Sequence, residues 1–208
     1  MSIQTRRERD AQKMKEDILA AAREISNQDG FASISIRKIA QKIEYTPSII
    51  YHYFSNKEEI LEQLLESGYL KLTTSLASSK RISDNPEDTL RIMTRTYIEE
   101  ALKIPEEFAI VHSDSSPNVI KHTSFLFEGA SEKRKAIHMI KKCIIDMNPQ
   151  EELEGGKVEL TAQSIAAATM GLTLKLIAEK NLEEAQKKKI IDYFSDEMVV
   201  RMAKYPGK

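Results

Sequence analysis

Cysteine is almost missing from this chain: Cys143 stands alone among 208 residues. One thiol excludes an intramolecular disulfide and any metal site made of cysteines only. Tryptophan is absent, and seven glycines and six prolines are few for this length. Ala, Ile, Leu, Lys and Glu dominate instead, a composition that favours an all-helical protein with a sizeable core. No apolar leader opens the chain and no run of about eighteen apolar residues interrupts it. The expectation is a soluble, cytoplasmic protein. Glycine loops that cradle phosphate and known nucleophile motifs are also missing. Cys143 and His138 are five residues apart, so they do not share a helix face and make a poor dyad. Four histidines with no adjacent carboxylate cluster give no reason to expect a metal, and no cofactor is expected. Net charge is close to zero, −1 overall, but unevenly placed. Residues 1–57 hold ten Lys and Arg against seven Asp and Glu, or +3, and the remainder holds 21 against 25, or −4. A basic head on an acidic body suits a head that meets nucleic acid and a body with another task.

What the sequence does have is concentrated in Ser35–Lys57, SIRKIAQKIEYTPSIIYHYFSNK. Ser35 is placed to cap a helix over about Ile36–Lys42, whose apolar side is Ile36, Ile39, Ala40 and Ile43. Thr46-Pro47 is a second helix start, a capping hydroxyl followed by proline where a missing N–H costs nothing. Helix, short turn, short helix is the helix-turn-helix pattern. Asn56-Lys57-Glu58-Glu59 then reads as a capping box opening a longer helix. The run Ile39-Ala40, Thr46-Pro47-Ser48-Ile49-Ile50-Tyr51-His52-Tyr53-Phe54 and Lys57-Glu58-Glu59-Ile60-Leu61 resembles the DNA-binding domain of TetR-family transcriptional regulators. That family usually shows alanine-glycine-valine-serine where Ile43-Glu44-Tyr45-Thr46 stands here, and glycine where Ser48 stands. A glutamate takes the left-handed conformation of a turn glycine only at some cost, so a slightly different turn is expected.

Around this segment the chain reads as helices throughout. Residues 1–12 form either a solvated terminus or an arm toward DNA. Met14, Ile18, Ala21, Ala22 and Ile25 mark a first helix stopped near Asp29-Gly30. Ile60, Leu61, Leu64, Leu65, Leu72 and Leu76 line the fourth. Asn85-Pro86 starts a helix that runs to Pro105, a shorter one covers about Glu106–His112, and Asn118–Met147 is helical with a break near Gly129. Pro149–Glu159 reads as a mobile loop. Thr161–Ala178 is apolar nearly all round and must be covered on both sides. A last helix spans about Glu183–Ala203.

The resemblance implies an all-α protein: a three-helix DNA-binding head, residues 1–57, and a larger ligand-binding and dimerisation body, residues 58–208. It implies a homodimer that binds a palindromic operator, most often as a repressor, and releases it on binding a small apolar effector. Carried over by position, Thr46, Pro47, Ser48, Ile49, Tyr51 and His52 lie at the DNA surface. Tyr51, Tyr53 and Lys57 look like phosphate contacts, with Tyr53 equally a core aromatic. Ser35 and the Ile36 amide would hold another phosphate, and Arg37 is the candidate charged contact. Candidate effector liners are Met93, Tyr97, Phe108, His112, His122, Phe125, Met139, Cys143, Met170 and Leu174, although methionines at helical spacing are more often core. The implied four-helix dimer interface takes Ile165, Thr169, Leu172, Leu176, Ile191, Phe194 and Met198. An adaptor whose body binds a protein, and a helical enzyme, are the rival readings.

Overall fold

A computed structural model describes residues 3–65, 83–149 and 154–206, and every regular element among them is helical. In chain order these are α1 (Ile3–Asp29), a single 3-10 turn (Phe31–Ser33), α2 (Ile36–Lys42), α3 (Pro47–Tyr53) and α4 (57–65). There follow α5 (Pro86–Leu102), α6 (Pro105–Ser113), α7 (Pro117–Thr123), α8 (Ala130–Lys133), α9 (Lys135–Met147), α10 (Gly155–Ala178) and α11 (Glu184–Tyr193). A wide π turn (Phe194–Val199) carries α11 without a stop into α12 (Val200–Lys204). Prolines punctuate the chain: Pro47, Pro86, Pro105 and Pro117 each occupy the first position of a helix, where no N–H is needed. The loop expected over Pro149–Glu159 is shorter than that, because α10 already begins at Gly155. Leu72 and Leu76 lie outside the described residues.

The chain divides into two compact units, Met1–Tyr69 with Glu106–Thr123, and Leu70–Pro105 with Ser124–Lys208. In the first, Ile18 and Ala22 of α1, Ile39 of α2, Ile50 of α3, Phe54 and Ile60 of α4 are fully buried together with Phe31. Val119 of α7 is buried in the same cluster, with Ile110 and Val111 of α6 packed on it. Arg23 to Glu107, 3.9 Å, and Lys121 to Glu62, 2.7 Å, add surface ties. The head is therefore larger than residues 1–57, since α6 and α7 complete its core.

Local chemistry explains each boundary in the head. Ser35 Oγ accepts from the Lys38 amide, 3.2 Å. α2 ends in a Schellman turn: Tyr45 N–H donates to Ala40 O, 2.9 Å, and Glu44 N–H to Gln41 O, 3.3 Å. Glu44 takes φ +60°, the one non-glycine with positive φ among the described residues. The expected departure in turn shape does not occur, because two backbone bonds hold the left-handed turn despite the side chain. Thr46 does not cap α3 with its hydroxyl, and Pro47 alone marks the start. The box at α4 forms, with Glu59 N–H donating to Asn56 Oδ1, 2.8 Å, and Glu59 reaching back to the Ser55 amide, 2.7 Å.

In the second unit α5, α9 and α10 pack round Leu90, Met93, Ile98, Ile137, Ile144 and Ile165. α10 has two opposite stripes. Val158, Ala162, Ile165, Thr169, Thr173 and Leu176 face inward and are buried. Leu160, Ser164, Gly171 and Lys175 are exposed, with Ala167 and Leu174 half-buried. This overturns the expected interface: Ile165, Thr169, Leu176, Ile191 and Phe194 belong to the chain's own core, and half-buried Leu172 packs against it. Side chains closed off in one chain have no surface left for another. Of that set only Met198 is exposed. By length and composition α10 could span a bilayer, but a helix whose inward stripe is core meets the same test.

Polar groups staple the unit. Glu159 of α10 accepts from Ser131 N–H and Oγ–H of α8 and from Lys141 of α9, at 3.1–3.2 Å. These donors outweigh desolvation and hold its carboxyl below the usual range. Arg91 and Arg95 of α5 bridge to Asp196 of the π turn, 3.2 and 2.9 Å.

Because Glu44 sits where only glycine is unstrained, Glu44→Gly should raise the head's stability by roughly 0.5–1 kcal/mol, read as a higher urea midpoint. Ile50→Ala should cost about 2–5 kcal/mol by the same measurement, since it empties a fully buried site.

Candidate nucleic-acid interface

Seven residues make α3, and their division between inside and outside decides what the head can do. Ile50 is buried, and Tyr53 is half-buried against the head's core, edge-on to His52 at 5.1 Å. Tyr53 thus resolves toward packing. Pro47, Ser48, Tyr51 and His52 are exposed, Tyr51 by 57 %, and Ile49 is half-exposed. Thr46 is exposed beside them, its hydroxyl not engaged in capping. The sequence-expected residues Thr46, Pro47, Ser48, Ile49, Tyr51 and His52 therefore form one surface stretch with the side opposite Ile50 turned outward.

Flanking groups supply charge. Arg37 is exposed on α2 and Lys57 is half-exposed at the start of α4. Lys38 and Lys42, on the same short helix as Arg37, are tied to acids of α1: Lys38 to Asp29 at 3.3 Å and Lys42 to Glu24 at 2.5 Å. Ser35 keeps an O–H donor while its oxygen caps α2. The Ile36 side chain packs inward against the head's core, so only its backbone could serve. Tyr45, 50 % exposed in the turn before α3, was not anticipated as a surface group. The only sequence signal was an aromatic where the family pattern has valine.

A short buried-face helix held by a tight turn against a preceding helix is the geometry of a groove-reading unit. Residues 18–64 match the sequence pattern described as "Bacterial regulatory proteins, tetR family". Over 196 residues, 88 % of this chain and 90 % of the relative, the sequence is 28 % identical to the HTH-type transcriptional regulator BetI of Proteus mirabilis. Over 56 residues, 27 % of this chain and 29 % of the relative, it is 36 % identical to the HTH-type transcriptional regulator UidR of Escherichia coli.

Residues 18–64 are a TetR-family DNA-binding segment.

A crystal structure of a family regulator from Syntrophomonas wolfei shares the fold, with TM-score 0.70 and 18 % identity over 91 % of this chain and 96 % of that one. Like its relatives, this TetR-family chain is a DNA-binding transcriptional regulator.

The regulator's candidate effector residues fall into two groups. Met93, Met139 and Cys143 are buried in the second unit, Tyr97 and Phe125 pack against them, and Met170 and Leu174 are half-buried on α10. Phe108, His112 and His122 belong to the first unit instead. The reason is the packing of α6 and α7 on the head's core, which periodicity along one helix cannot reveal. His112 stacks on Phe108 at 4.0 Å between ring centroids, and its Nδ1 donates to the Phe108 carbonyl, 2.9 Å. His122 Nε2 lies 3.8 Å from Glu62 Oε1, and Lys121 with His122 holds that carboxyl below the usual range.

In the second unit the buried hydroxyls of Thr94, Thr169, Thr173 and Ser195 each donate to the carbonyl four residues earlier, and Gln163 donates to Phe127 O, 2.8 Å. These groups are satisfied by backbone, so the surroundings of Met93, Met139 and Cys143 are apolar in effect.

Burial holds the His112 pKa below its ordinary value, outweighing the backbone bond. The unfolded ring then charges at a pH where the folded one is still neutral. Stability should fall as pH drops below about 6.5, and His112→Gln should flatten that slope in denaturation series between about pH 7 and 5.

Proposed function

We propose that this regulator binds a pseudo-palindromic operator as a homodimer, acts as a repressor in the cytoplasm, and leaves the operator when a small, largely apolar molecule binds its second unit. The observation that carries the DNA part is the outward side of α3, fixed in direction by buried Ile50 and Phe54 and bordered by Arg37 and Lys57. One seven-residue helix offers too few base contacts for a specific site, which is the physical case for two copies.

The outward stripe of α10 is the surface we assign to the second copy. Leu160 is 63 % exposed there, and a Cβ at Gly171 would meet nothing within 4 Å. A stripe of Leu160, Ala167, Gly171 and Leu174 is apolar, with small residues at its middle suited to close helix approach, and among the described residues Leu160 and Gly171 stay exposed and Ala167 and Leu174 half-exposed. Tyr193 and Met198 of the C-terminal helix are exposed as well and extend the apolar area.

An apolar effector fits the Met, Cys and aromatic side chains round Met93 and Cys143, where the polar groups already have backbone partners. Its action is a population shift: it must prefer the arrangement that cannot hold the operator by a few kcal/mol.

Tyr51→Ala combined with Lys57→Ala should abolish specific operator binding in a mobility-shift assay while leaving the circular dichroism unchanged. Intact binding would remove α3 from the DNA. With roughly six to ten phosphate contacts per dimer, log K should fall by about 0.9 per contact for each decade of salt. Gly171→Arg should leave the chain folded and halve its sedimenting mass, because the new side chain has room in one chain and none in a pair.

A further inference from the structure

The sequence of α3, Pro-Ser-Ile-Ile-Tyr-His-Tyr, contains no Lys, Arg, Asn or Gln and no carboxylate. These are the side chains that read base edges by paired hydrogen bonds: Arg or Lys on guanine, Asn or Gln on adenine, Asp or Glu on the cytosine amine. Charge near α3 comes from neighbours placed otherwise. Arg37 stands on α2, the helix that in this arrangement crosses the sugar-phosphate backbone. Lys38 and Lys42 are engaged with Asp29 and Glu24. Apart from His52, the one nitrogen-bearing side chain on α3, the outward side offers apolar or hydroxylic groups: the Pro47 ring, half-exposed Ile49, the Tyr51 ring, and the hydroxyls of Thr46 and Ser48.

Only one apolar group marks a base pair in the major groove, the C5 methyl of thymine. Hydroxyls accept or donate to several bases and discriminate weakly. We propose that this head selects its half-site mainly through thymine methyl groups packed against Pro47 and Ile49, so that the bases beneath α3 are A·T pairs in a fixed strand orientation. Guanine contacts, if any, then lie outside that stretch. The inference rests on α3 being the groove-reading helix, and it names the chemistry by which that helix reads.

The experiment starts with the full-length protein and a randomised duplex library, from which binding sequences are enriched and aligned. The enriched duplex is then remade with deoxyuridine for thymidine, one position at a time, which deletes only the methyl group. Affinity should fall by about fourfold for each methyl that packs against the protein, the value of one buried methyl-sized group. Replacing such an A·T pair by G·C, with cytosine where thymine stood, should weaken binding, and 5-methylcytosine at that position should recover part of the loss. In Pro47→Ala the penalty for uracil at one position should vanish, while Arg37→Ala should leave every uracil penalty in place. Half-sites dominated by guanine beneath α3, or full affinity with uracil throughout, would overturn the methyl mechanism while leaving DNA reading by α3 intact. Failure to enrich any sequence by a folded protein would remove the operator reading itself, and this inference with it.

Discussion

A seven-residue helix has no stability of its own in water, since nucleation costs more than so few backbone bonds return. α3 exists because Ile50 and Phe54 are buried among Ile18, Ala22, Phe31 and Ile39, and because the α2 turn delivers the chain at a fixed angle. Burial of one side is what aims the other. Each exposed group on α3 inherits its direction from the burial of Ile50 and Phe54 on the same short stretch, so the head's rigidity and its ability to contact DNA are one property. α6 and α7 share in that property through Val119, Ile110 and Val111, although they are distant in sequence.

The second unit follows a different rule. Among the described residues its long helix α10 is covered on one stripe and open along much of the other, and the buried hydroxyls of Thr169 and Thr173 close on their own helix instead of reaching neighbours. Such hydroxyls cost little and specify little. Orientation between helices is helped by ties that cross between them, among them Glu159 with Ser131 and Lys141, Asp196 with Arg91 and Arg95, and Lys204 with Glu87.

Much of this was written in local sequence. Prolines at helix starts, the Ser35 and Asn85 caps, the Asn56–Glu59 box and the Asp29-Gly30 stop announced helices that the structure contains, because each depends on residues within one turn of one another. The helix-turn-helix surface was legible for the same reason. Three things were not. Glu44 gave no local hint that it would accept the left-handed turn, since two backbone bonds decide the matter. Which stripe of α10 faces inward was ambiguous, because a helix apolar nearly all round carries no directional signal. The assignment of Phe108, His112 and His122 to the head depended on packing between segments some fifty residues apart, which no periodicity encodes.

The π turn in the C-terminal helix sets the phase of everything after it. A six-residue turn of this kind accommodates one residue more than the α-helical repeat would allow. Ile191 before it, Phe194 and Val199 at its two ends, and Val200 and Ala203 after it are all buried, which an unbroken 3.6-residue repeat would not keep in line. Winding Phe194–Val199 as plain α-helix with every residue kept would rotate the last turns by about 100°, swinging Arg201 toward the interior and Ala203 toward solvent. For a chain of this length the irregular winding is therefore the better-packed one, and the tidier hydrogen-bond ladder would be the less stable arrangement.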